Sequence, residues 1–167
     1  MADPQVALLL QLVDQAFDQK SWHGTNLRGS IRGMTAEQAA WRPGPGRHNV
    51  WELVVHTAYW KYTVRRRFTG ETRGSFPLKG SNWIRRPSEG LATEAVWRED
   101  VAMLVEMHRT MREAIATLRD RDLGFVTPGT KTSHLVVLTG IASHDLYHAG
   151  QIQLLKRLRD GAADIEV

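Results

Sequence analysis

The sequence predicts an all-α fold, a four-helix bundle with one long crossover connection between the second and third helices. Three observations carry this prediction. Four long stretches repeat apolar residues at helical period. No stretch alternates polar and apolar residues over a useful strand length. Residues 71–92 are rich in Gly, Pro and Ser and have no period, which is long for a connection and suits a crossover, a lid or a binding segment. A length of 167 residues fits one domain covering 1–167.

The first helix opens at Pro4, a favoured first-turn residue, and sets Val6, Leu9, Leu10, Val13 and Phe17 on one face. The pattern fades at "KSWHGTN", and a shorter helical piece is expected from Asn26. "TAEQ" at residues 35–38 reads as a capping box for one or two more turns, and "RPGPGRH" then breaks the chain. The second long helix starts at Asn49, with Glu52 completing a capping pattern, and stops at Gly70. Its apolar stripe is Leu53, Trp60, Val64 and Phe68. The third covers residues 93–119, with Trp97, Val101, Leu104, Met111, Ile115 and Leu118 on one face and His108 among them. The fourth covers residues 133–161, with Lys156, Arg157 and Arg159 in its last turns, where cations suit the helix dipole.

Composition narrows the chemistry. With no cysteine, disulfides, thiolate ligands and a cysteine nucleophile are excluded, so a metal must be held by His, Asp or Glu. A net charge of +4 fits an acidic small-molecule substrate or weak nonspecific adhesion to nucleic acid. No run reaches the roughly 18 apolar residues of a membrane span. The N-terminus has no basic segment ahead of its short apolar stretch, which reads against a signal peptide and for the cytoplasm.

The motif that stands out is "SHDLYHAGQ" at residues 143–151. At about 100° per residue, with Val137 as zero, His144 falls at about −20° and His148 at about 20°, on the midline of the buried stripe. Two imidazoles there need partners, since an unsatisfied buried polar group costs about 1–3 kcal/mol. Spacing of i, i+4 lets both reach one divalent ion. The plainer alternative is a pair of core histidines bonded to neighbours. A third ligand is expected from His56, at the edge of the second helix's apolar face. Three neutral imidazoles suit Zn²⁺, Ni²⁺ or Fe²⁺ and leave positions open for water or substrate.

The other candidates have ordinary readings. His108 reads as a bonded core residue or an outer support, and His23 as a loop residue able to enter the pocket. Trp22 and Trp83 are candidate pocket walls. His48 and His134, at helix starts, read as capping or surface residues. Asp145 and Tyr147 flank the buried face. Gln151 returns to it and can orient a ligand or a substrate. Glu52 reads as a capping residue before an outer acceptor or a base. "HDLYH" resembles the H-E-x-x-H zincin motif, but a shorter acid and no downstream third ligand argue against a metalloprotease. No phosphate loop or DNA-reading module is visible.

"MTAEQAAWRP" at residues 34–43, "NVWELVVHTAYWK" at 49–61 and "GIASHDLYHAGQIQLLKR" at 140–157 together resemble the DinB/YfiT-like superfamily, in matching order over nearly the whole chain. The resemblance implies a four-helix bundle with a crossover after the second helix. It also implies a metal held by one histidine of the second helix and an H-x-x-x-H pair of the last, here His56, His144 and His148. Characterised relatives imply thiol-dependent transfer or isomerisation with a low-molecular-weight thiol. The related sulfoxide synthases carry H-x-x-x-H-x-E, and Gly150 at the last position argues against their oxygen-dependent chemistry.

The expected function is therefore a metal-dependent enzyme of thiol S-transferase or hydrolase type. It would activate a thiol or water against a small electrophilic substrate, with zinc or nickel ahead of iron as the metal. The alternative is a non-catalytic metal- or small-ligand-binding stress-response bundle. A homodimer is the expected assembly, with no specific nucleic acid and no membrane as partner.

Overall fold

In the computed structural model, residues 3–163 are described. Six α-helices form, and the four long ones are α1 (Pro4–Phe17), α4 (Val50–Thr69), α5 (Glu94–Ala116) and α6 (His134–Ala163). The short ones are α2 (Leu27–Ser30) and α3 (Ala36–Ala40), and a 3₁₀ turn covers Asp120–Asp122. Among the described residues no strand forms; a single antiparallel bridge joins Val126 to Ser133 just before α6. No helix among them is long and apolar enough to cross a membrane.

The helix starts follow local chemistry. Asn49 accepts the Glu52 amide at 2.8 Å, Thr35 and Gln38 form the expected capping box, and Thr93 caps α5. At α1 the cap is nonlocal. The free amides of Gln5 and Val6 donate to the Asp120 carboxylate at 3.2 and 3.0 Å, while the Asp120 amide donates to Asp3 at 3.0 Å. Gly70 ends α4 with φ 70°, a left-handed closure that needs a residue without Cβ strain.

Packing departs from the predicted stripe on α4. Every residue from 50 to 58 is buried, not one face alone. The cause is tertiary: α3, α5 and α6 all pack on this helix, and Phe76, Leu78 and Ile84 of the following segment cover the same core. Leu53 and Val64 are buried as expected, while Trp60 and Phe68 are only partly so. Trp51 and Trp97 meet edge to face at 5.3 Å, and each buried indole N–H is satisfied, by Asp100 at 2.6 Å and the Met34 carbonyl at 3.0 Å. The predicted face of α1 is buried throughout: Val6, Leu9, Leu10 and Val13 share a core with Met111, Ile115, Leu138 and Ile141, while Phe17 joins the core of Leu27 and Trp51.

Candidate metal centre

Two helices bring three imidazoles together. His56 lies in the second turn of α4, the helix that Asn49 caps; His144 and His148 lie one turn apart near the middle of α6. His56 and His148 are 5% and 3% exposed, and His144 is half-buried. His144 Nε2 is 3.2 Å from His56 Nε2 and 3.1 Å from His148 Nε2. One ligand atom from each of the three lies within 4.8 Å of the others, so the group can hold a metal ion.

The donor chemistry fits a cation. At a metal–nitrogen distance of about 2.0–2.1 Å, tetrahedral ligand nitrogens stand roughly 3.3–3.4 Å apart, close to the two short contacts. His56 Nδ1 donates to the Asn82 carbonyl at 3.1 Å and His148 Nδ1 donates to Gln151 Oε1 at 2.7 Å. Both protons therefore sit on Nδ1, and both Nε2 lone pairs face inward. The His144 ring has an unpartnered, buried Nδ1. A proton on its Nε2 could serve only one of the two facing lone pairs well, whereas one cation satisfies all three. Burial, with smaller contributions from neighbouring rings, pushes His56 down to about 4 and His144 down to about 3. Burial also lowers His148. All three are neutral at neutral pH, as ligation requires.

The segment after α4 supplies the walls. Trp83 stacks on His56 at 3.9 Å and, through its other face, on His48 at 3.8 Å. Asn82 contributes twice: its carbonyl holds His56, and its side chain accepts the Trp60 indole at 3.0 Å. Among the described residues it is the one non-glycine with positive φ, 58°, a conformation asparagine tolerates and branched residues do not. Asn82→Val is therefore expected to displace the carbonyl and weaken zinc binding about 10–100-fold, while Asn82→Gly keeps it. Zinc titration of both variants checks this; equal affinities would remove the carbonyl from the site. An apolar cavity of about 170 Å³ opens beside His144, between Trp60, Val64, Val137 and Ile141.

Several sequence expectations need correction. Asp145 does not flank the buried face: it is 1% exposed and paired with Lys61, which is fully buried on α4. Glu52 is not a capping carboxylate. It takes a two-pronged contact from Arg42 at 2.6 and 3.0 Å and another from His48 Nδ1 at 2.8 Å. His134 is buried, 3.3 Å from the Thr127 hydroxyl, and not a surface residue. His23 and Trp22 are exposed and build no wall. His108 is a core residue outside the cluster, stacked on Phe17 at 3.7 Å, with an unpartnered Nδ1. Gln151 does orient a histidine, as its position suggested.

Sequence reasoning passed over Asn82 and Lys61. Asn82 sits in a tract without period, and a lysine on a helix ordinarily reads as a solvated surface residue. The signal for Asn82 was weak but present: asparagine is among the residues that accept a left-handed turn.

A search of curated proteins returned no match. A crystal structure described as a conserved protein from Enterococcus faecalis superposes with a TM-score of 0.69, covering 96% of this chain and 99% of that one. At 16% identity the likeness is one of fold. The model of the DinB superfamily matches residues 19–152, four-fifths of the chain, with all three clustered histidines inside the match. The chain belongs to the DinB superfamily.

Proposed function

We propose that His56, His144 and His148 hold a divalent transition metal, zinc or nickel ahead of iron, and that the protein is a metal-dependent enzyme. It acts on a small electrophilic substrate with a thiol or water as nucleophile, as a transferase or hydrolase. A bound divalent ion supplies Lewis acidity, which makes a coordinated thiol or water nucleophilic at neutral pH. The observation that carries the reading is the convergence of three neutral imidazoles, two with their Nε2 lone pairs fixed inward. With three protein ligands, positions remain for nucleophile or substrate.

The chain's own side chains do the rest. Asn82 and Gln151 keep protons on the outer nitrogens of His56 and His148. Trp60 and Trp83 shield the rings from water, which strengthens charge interactions at the centre. The apolar cavity beside His144 takes the apolar part of the substrate. We read the four long helices as one bundle in a single domain. In it α4 and α1 each pack on both α5 and α6, and the segment from 70 to 93 is the crossover.

The test is a screen of low-molecular-weight thiols, and of water alone, against generic electrophiles, with zinc-loaded, nickel-loaded and metal-free protein. Turnover that needs metal and is lost in His148→Ala supports the reading. Tight metal binding with silence across the screen supports the non-catalytic binding module instead.

A further inference from the structure

A second cleft lies on the far side of Trp83 from His56. Its volume is about 480 Å³, within the roughly 300–1,000 Å³ typical of small-molecule sites. It is lined by Arg42, Arg47, Arg85, Arg86, His48 and Trp83, among others, and Glu52 is the one carboxylate in its lining. That carboxylate is already taken up by Arg42 and His48. Arg86 is held from behind by Asp100 at 2.6 Å. Among the described residues neither Arg47 nor Arg85 has an acidic partner, so two guanidiniums face the cleft uncompensated. The rim is tied in place by Arg42, which donates to the Arg47 carbonyl at 2.6 Å. A rim ordered before binding lowers the entropic cost of taking up a ligand.

We propose that this cleft binds the anionic end, a carboxylate or phosphate, of the small molecule on which the histidine centre acts. Guanidinium forks match both oxyanions in geometry and charge. The cleft adjoins the histidine centre through a stack of three rings, His48 on Trp83 at 3.8 Å and Trp83 on His56 at 3.9 Å, with His48 and Trp83 both in its lining. The link to reaction rests on the metal-enzyme reading; the anion site itself rests on the arginines.

Inorganic phosphate and malonate are titrated calorimetrically into the metal-free chain at fixed ionic strength. Saturable binding is expected for at least one, and the stronger of the two identifies the oxyanion. Arg47→Gln/Arg85→Gln is expected to weaken it about tenfold or more with an unchanged melting temperature. His148→Ala is expected to bind the anion as the parent does. No saturable binding of either anion, or equal affinity in the double variant, overturns the proposal. Zinc titration of the same proteins reads the histidine centre separately, so failure of one site is distinguishable from failure of the other.

Discussion

Replacing His148 by alanine is expected to lower zinc affinity by more than the roughly 10–100-fold that loss of a supporting contact costs. The residue supplies one of three converging nitrogens, and its removal leaves His144 with a single facing imidazole. The same substitution should uncouple stability from metal. For the parent protein, zinc at 100 times its dissociation constant is expected to add about 2.7 kcal/mol to unfolding, so a chelator should lower the melting temperature. For His148→Ala, melting curves with and without chelator should coincide. Zinc competition against a chromophoric chelator and paired thermal melts give both readouts. Unchanged affinity in the variant would show that the three rings do not share an ion.

The second large effect is expected at Lys61. Its ammonium and the Asp145 carboxylate form an ion pair between α4 and α6, with side chains 0% and 1% exposed. Burial pushes the lysine down and the aspartate up, each opposed by its partner's charge. Lys61→Met leaves a carboxylate enclosed without a counterion, and Asp145 already has one oxygen unpartnered. Breaking such a pair costs about 3–5 kcal/mol, a large part of the total stability of a domain this size. Lys61→Met/Asp145→Leu should recover most of that loss, since a well-packed apolar pair is often no less stable than the ions it replaces. Urea unfolding of the three proteins measures the coupling. A single variant within about 1 kcal/mol of the parent would mean that water reaches the pair.

What the sequence disclosed about this protein depended on periodicity. The α6 histidines could be placed because His144 and His148 fall on a face also marked by Val137, Ile141 and Leu155, and helical spacing is a reliable ruler over such a run. His56 was accessible for the same reason. Asp145 was misplaced by the same ruler. Its angular position is beside the stripe, but Lys61 reaches it from α4, and a partner on another helix leaves no periodic trace. On α4 the pattern understated burial because enclosure by α3 and by the segment after Gly70 is a tertiary event. Glu52 shows a related limit. Its distance from Asn49 suits a capping box, yet Arg42 and His48 compete for the carboxylate and win with charge-assisted contacts.

His144 and His148 share one helix while His56 stands on another, so the spacing of the three nitrogens depends on the gap between α4 and α6. The Lys61–Asp145 clasp spans that gap close to the rings. A bulkier or shorter clasp is therefore expected to widen or narrow the seat that the three rings offer a cation, with no ring itself replaced.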